Sequence, residues 1–247
     1  LKIKKSGILL ASALILTSAV FFTLQYLFFH DARQTVFWLL QDFGFLPINV
    51  IVVTLFIDKF ISLREKREKL ERLNMLINDF FNEAGSDMIR ETNRFISNLE
   101  ELKQPLSITA QWDDKAFGKA AKAVEKAGIQ ADMDRADPYA LKAMLMEKKK
   151  NILAMVENPS VLEHDRFSDM LWAVYHLEEE LKEREAFESL PGVDKAHIAI
   201  DLIRAYRYLL IEWLYFNRYI KQRYPYLFSL MLRKSPFQEK DVVIRDQ

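Results

Sequence analysis

Apolar positions fill the first quarter of the chain without a break and become periodic beyond it. From Gly7 to Phe29, 23 residues pass without a charge. A helix rising about 1.5 Å per residue needs roughly 20 of them to cross ~30 Å of hydrocarbon. A second apolar stretch covers about Val36 to Leu63, and only the six residues His30-Asp31-Ala32-Arg33-Gln34-Thr35 lie between. The pattern predicts a transmembrane hairpin over residues 1–63, with spans of about 7–29 and 36–63.

The second span meets no breaker on its way into Arg64-Glu65-Lys66-Arg67-Glu68-Lys69, where Glu65 with Lys69 and Glu68 with Arg72 form i,i+4 pairs. Leu70, Leu73, Ile77, Phe80 and Ala84 then follow alternating steps of three and four. The repeat slips at Gly85-Ser86 and resumes through Met88, Phe95, Leu99 and Leu102. Such a pattern predicts a coiled-coil-like juxtamembrane helix over 64–104, ending before Pro105. Its seam is a candidate for assembly of a homo-oligomer, with packing inside one chain as the equal alternative.

Residues 105–247 predict a helical bundle. Asp113-Asp114 starts a helix through about Lys126 that stops at Gly128. Asp137-Pro138 and Asn158-Pro159 each place a cap ahead of an N1 proline, predicting helices to about Glu157 and about Ser189. After Leu190-Pro191-Gly192, with Asp194 as cap, a last long helix runs to about Tyr224 and stops at Pro225. No strand pattern interrupts this order, so the expected fold is all-α.

Charge changes this picture in two ways. Lys2, Lys4, Lys5, Arg64, Lys66, Arg67 and Lys69 flank the hairpin, against Arg33 alone in its connection. The positive-inside rule therefore places both termini in the cytoplasm. A cleaved signal peptide is disfavoured, because the first apolar region is too long and no small-x-small site follows it. Secondly, Glu157–Leu190 carries ten acids against Arg166, Lys182 and Arg184, while Ile203–Lys234 carries seven bases against Glu212. These helices are expected to pair as an antiparallel hairpin with complementary rims. The alternative sends the basic helix, with Trp213, Tyr215, Tyr219 and Tyr224, to an anionic membrane surface. A formal net charge of zero leaves no footprint for nucleic acid.

Absent cysteines remove disulfides, thiol nucleophiles and thiolate metal sites. The glycines are never closer than ten residues apart, so neither a Walker loop nor a dinucleotide fingerprint can be written. No cofactor and no enzymatic role are expected. His176 with Glu180, and His197 with Asp201, sit four apart on helix faces as bundle metal ligands do, with Glu179 and His164 nearby. Neither pair has the Glu-x-x-His spacing of a di-iron bundle, and no second ligand set is evident, so no metal is expected.

In the second span, Asp42, Asn49, Val53 and Phe56 project on one stripe of an ideal helix. If several copies ring an axis, Asp42 forms an acidic mouth, Asn49 a polar ring, and Val53 with Phe56 a dewetting constriction. The competing account starts the helix at Phe43, so that Asp42 only caps it and Asn49 binds a neighbouring helix.

Phe45-Leu46-Pro47, Val53-Thr54-Leu55, Arg64-Glu65-Lys66 and Leu73-Asn74-Met75, together with Tyr224-Pro225-Tyr226-Leu227-Phe228-Ser229-Leu230, resemble a group of uncharacterised bacterial two-pass membrane proteins. That resemblance implies a bacterial inner-membrane setting and no particular activity. The expected function is a homo-oligomeric channel for an inorganic cation, embedded in membrane lipid and lined by the second span. A membrane-anchored interaction or signalling scaffold without transport is the alternative.

Overall fold

The computed structural model describes residues 5–29 and 31–238. Among them the fold is all-α, with one isolated antiparallel bridge between Ile96 and Ala131. The chain divides into two compact units, residues 1–66 and 67–247. The juxtamembrane segment expected over 64–104 is thus no unit of its own. From Arg67 onward it belongs to the second unit.

In the first unit lie α1 (Lys5–Phe29) and most of α2 (Ala32–Phe80). Asp31 caps α2, its Oδ1 accepting from the backbone N–H of Arg33 at 3.0 Å and of Gln34 at 3.1 Å. His30 lies outside the described residues. The connection is therefore shorter than its apolar boundaries suggest, because Arg33 and Gln34 are polar yet helical. Pro47 sits inside α2 and lacks the N–H for one helical hydrogen bond. Among the described residues one helix, Val36–Asn93, is long and apolar enough to cross a membrane, and Ser12–Phe28 forms a shorter apolar helix.

The second unit begins with the final turns of α2. There the three-four repeat turns into burial: Leu73, Ile77, Phe80 and Ala84 are all at most 6% exposed, whereas Leu70 is 47% exposed. Each of the larger side chains leaves water within its own chain, worth roughly 1.5–3 kcal/mol. At these four positions the chain follows the alternative of packing within itself. They pack into the core of their own domain.

Where the repeat slips, Phe81–Gly85 forms one π-helical turn before α3 (Ser86–Asn93). An extra residue in the turn shifts the apolar face, so the stutter in sequence is a π-bulge in structure. Gly85 is required there by close approach. A Cβ on it would stand 2.6 Å from Phe81 Cδ1 and 2.7 Å from Phe80 Cε1.

Beyond a turn, α4 (Leu99–Leu106) includes Pro105, ahead of which the helix was expected to end. Its turn is clamped by Ser97 N–H on Gln130 O at 2.9 Å and Gln130 N–H on Asn98 Oδ1 at 3.0 Å. Helix α5 (Asp114–Lys126) starts where expected, with Asp113 accepting from Ala116 N–H at 2.8 Å. Helix α6 (Pro138–Val156) starts at the Asp137 cap, which accepts from Tyr139 N–H at 2.9 Å.

The single helix expected from Pro159 to Ser189 is broken in two. Short α7 (Pro159–Leu162) ends before His164, whose Nδ1 accepts from Phe167 N–H at 3.3 Å and opens α8 (Asp165–Lys182). Burial first, then the charge of Arg166, lowers the His164 pKa and favours the neutral ring such an acceptor needs. Long α9 (Gly192–Arg223) and α10 (Pro225–Arg233) follow.

Helix α9 is the axis of the domain, packed against α8, α5, α10 and α3. Between α8 and α9, His176 approaches Asp201 and Arg166 pairs with Glu212, in reverse order along the two helices. The hairpin is therefore antiparallel, as charge predicted, but the cations of α9 go elsewhere. Arg207 donates to the carbonyls of Val124 and Glu125 at the C-terminal end of α5, and Arg218 forks onto Asp114 at its N-terminal end. Lys221 donates to the carbonyls of Ala110 and Trp112. Trp213 is 2% exposed in the core, so it is not the membrane contact the alternative reading made of it.

Candidate functional site

Two places carry chemistry. On α2, Asp42, Asn49, Val53 and Phe56 are all exposed, as is every side chain from Val36 to Leu63. Asp42 lies ten residues inside the helix rather than at its start. The account that made it an N-cap fails, because Asp31 already fills that role. A carboxylate in the middle of an apolar helix is costly in lipid and normally faces protein or water.

The second place lies between the C-terminal half of α8 and the first turns of α9. His176 and Glu180 are one turn apart on α8, and His197 and Asp201 one turn apart on α9. Antiparallel packing brings the two pairs face to face. His176 Nε2 stands 3.3 Å from Asp201 Oδ2 and 3.9 Å from Glu180 Oε1. His197 Nε2 stands 3.4 Å from the same Asp201 Oδ2 and 3.7 Å from Glu180 Oε2. Donor atoms of His176, Glu180 and Asp201 all lie within 4.8 Å of one another. The two pairs therefore meet across the helix hairpin, a convergence that the spacing of either pair alone does not show.

Burial is graded across this cluster. Asp201 forms the floor with its side chain 2% exposed, Glu180 is a quarter exposed, and the imidazoles form a half-exposed rim. Asp201 Oδ1 accepts from Arg204 at 2.8 Å, but Oδ2 is buried and accepts no hydrogen bond despite the two nearby imidazoles. Glu180 Oε2 accepts from Arg184 Nη1 at 2.7 Å. Arg184 also grips Asp194 through two bonds of 2.7 Å each, fixing the α8–α9 connection to the start of α9. The Arg184 hydrogen bond is the main reason the Glu180 carboxyl is held below its usual range, and it does the same for Asp194. Asp201 therefore has one oxygen anchored to Arg204 and the other turned toward both histidines, whereas Glu180 faces His176 with Oε1 and shares Oε2 between Arg184 and His197. Arg184 and Arg204 were missed in the sequence, since nothing in its periodicity marks which cations reach a shared carboxylate, and Asp194, expected to cap the last helix, lies inside its first turn and binds Arg184 instead.

The other residues considered for a ligand set are used differently. His164 caps α8, and Glu179 with Glu178 binds Lys149 of α6. Those contacts raise the Lys149 pKa, chiefly through the Glu178 hydrogen bond. Glu178 is 1% exposed and its Oε1 has no hydrogen-bond partner. Arg166 lies over the Tyr215 ring at 3.9 Å and approaches buried Glu212 at 3.5 Å.

Two family models match the chain. Residues 2–61 match the N-terminal helical domain of MJ1433, and residues 69–233 match the C-terminal helical domain of the uncharacterised protein MJ1433. A relative in the archaeon Methanocaldococcus jannaschii, described as uncharacterised protein MJ1433, is 34% identical over 243 residues, 98% of each chain. The relative is archaeal, where the resemblance in sequence implied bacterial proteins. No solved structure matches the chain.

Proposed function

We propose, from the premise that the chain belongs to the MJ1433 family of helical proteins, that it is a two-span membrane protein whose hairpin anchors a helical interaction scaffold. One observation carries this reading: every side chain from Val36 to Leu63 is exposed, while the second unit closes its own core from Leu73 onward. An apolar surface of that length is intolerable in water and ordinary in lipid. Burial of Leu73, Ile77, Phe80 and Ala84 within one chain supports a domain that packs on itself over a ring of copies. The basic flanks support a cytoplasmic position for the helical domain.

A second reading keeps the cation-permeable homo-oligomer. Its support is that α2 runs through Asp42 as helix, with Asp42, Asn49, Val53 and Phe56 exposed in a single chain. Topology and transport are tested separately. A cysteine placed at Gln34 reacts with an impermeant thiol reagent from outside, and one at Gln247 does not; the reverse labelling overturns the orientation. In liposomes the wild type and Val53→Ser are both expected to be silent. Cation flux that Val53→Ser enhances and Asp42→Asn makes less selective replaces the scaffold with the pore.

A further inference from the structure

We propose that His176, Glu180, His197 and Asp201 form a binding site for one divalent transition-metal ion of the zinc type, which staples α8 to α9. The site takes two imidazole nitrogens and two carboxylate oxygens, a donor set suited to such a cation. Metal–ligand bonds of about 2.0–2.2 Å in a tetrahedron put neighbouring donors roughly 3.3–3.6 Å apart. Donor atoms of His176, Glu180 and Asp201 already lie within 4.8 Å of one another. Asp201 Oδ2 stands 3.3 Å from His176 Nε2 and 3.4 Å from His197 Nε2, while Glu180 offers Oε1 to His176 at 3.9 Å and Oε2 to His197 at 3.7 Å. The two Asp201 distances have that spacing, and a rotation of the half-exposed His197 ring and of the Glu180 carboxylate brings the fourth donor into the set.

The buried floor supplies the independent argument. Asp201 Oδ2 is desolvated, aimed between two Nε2 atoms, and without a hydrogen bond. An orphaned buried carboxylate oxygen is costly, and a cation seated between it and the imidazoles removes the cost. Outer contacts have the arrangement a metal site uses. Arg204 orients Asp201 through Oδ1, leaving Oδ2 for the ion, and Arg184 holds Glu180 through Oε2, leaving Oε1 toward His176, as second-layer groups do for metal ligands. The di-iron spacing rule does not bear on this site. One ion needs only a single pair from each of two antiparallel helices, and an i,i+4 pair presents both donors on one face.

The exposed histidine rim gives an ion access from solvent. Bound there, the ion ties the last turns of α8 to the first turns of α9, across a connection already fixed by Arg184 and Asp194. Its role is structural or regulatory, acting on the packing of the hairpin that forms the domain axis.

The test uses the full chain without a histidine tag, purified in detergent, stripped with chelator and titrated with Zn²⁺ by calorimetry. One equivalent is expected to bind, and Co²⁺ in its place should give the intense visible bands of a tetrahedral complex. At a hundredfold excess of Zn²⁺ over Kd, the Tm of the domain should rise by about 5–10 °C. His176→Gln and Asp201→Asn should each weaken binding at least about 100-fold, and His197→Gln at least about 10-fold, as loss of a direct ligand exceeds loss of an outer one. His164→Gln should leave binding unchanged. If the stripped wild type takes up no stoichiometric Zn²⁺, or binding survives His176→Gln with His197→Gln in one chain, the cluster is an ion-pair network and the proposal fails. The wild-type measurement decides the matter even if Asp201→Asn does not fold.

Discussion

Replacing Gly85 by alanine tests the π-turn and the packing around it. In an ordinary helix the change stabilises by about 1 kcal/mol, because glycine loses more backbone freedom on folding. Here the new Cβ would sit 2.6 Å from Phe81 Cδ1, 2.7 Å from Phe80 Cε1 and 2.9 Å from Phe81 Cε1. Carbon atoms rest at about 3.5–4.0 Å, so both rings must retreat by about 1 Å. Neither has room. Phe80 and Phe81 are 1% and 0% exposed. Phe80 meets the edge of Phe167 with ring centroids 5.6 Å apart, and Phe81 stacks on Phe216 at 5.2 Å. Overpacking a core by one methyl costs roughly 1–3 kcal/mol, and moving two interlocked rings belongs at the upper end. The net expectation for Gly85→Ala is a loss of about 1–2 kcal/mol. Gly118→Ala is the matched control, since its Cβ meets nothing within 4 Å inside α5. It should gain about 0.5–1 kcal/mol. Urea denaturation of the full chain in mild detergent measures both, followed by fluorescence of buried Trp213 alongside the other tryptophans. A Gly85→Ala protein as stable as Gly118→Ala would refute the close packing of the π-turn.

Burial raises the Glu212 carboxyl to about 7, with Arg166 pulling the other way. The folded state then keeps a proton that the unfolded chain releases, so stability falls as pH climbs between about 4.5 and 7 and is level above that. Glu212→Gln should abolish this fall and gain up to about 3 kcal/mol at pH 8; parallel pH profiles for the two proteins would show that Glu212 is not desolvated. Lys149→Ala strands Glu178 as an unpaired buried acid and should cost about 3–5 kcal/mol, with most of the loss recovered when Glu178→Leu is added. A loss below about 1 kcal/mol for Lys149→Ala alone would mean that water reaches Glu178.

Much of the helical domain is written locally. Asp113, Asp137 and Asn158 start their helices as their residue types require, because capping depends only on a side-chain oxygen and the N–H groups two or three residues on. The slip at Gly85 likewise marked the π-turn, since an extra residue in a turn is visible as a change of phase. The break at His164 was hidden, because histidine is not among the usual caps and the helical period continues past it.

By itself the sequence determined the apolar stretches, the all-α class and which face of each helix seeks burial, for these follow from residue type and spacing along one strand of chain. It could not say what covers a face. Leu73, Ile77, Phe80 and Ala84 carry the same pattern whether they meet a second copy or their own domain, and only the packed structure places them in the latter. The cations of α9 were countable, but their turn toward α5 instead of α8 depends on how α9 is rotated between its neighbours. The convergence of His176 and Glu180 with His197 and Asp201 is of the same kind. Each pair is a local fact of one helix, whereas their meeting depends on the register between two, and contacts spread along the whole of both helices set that register.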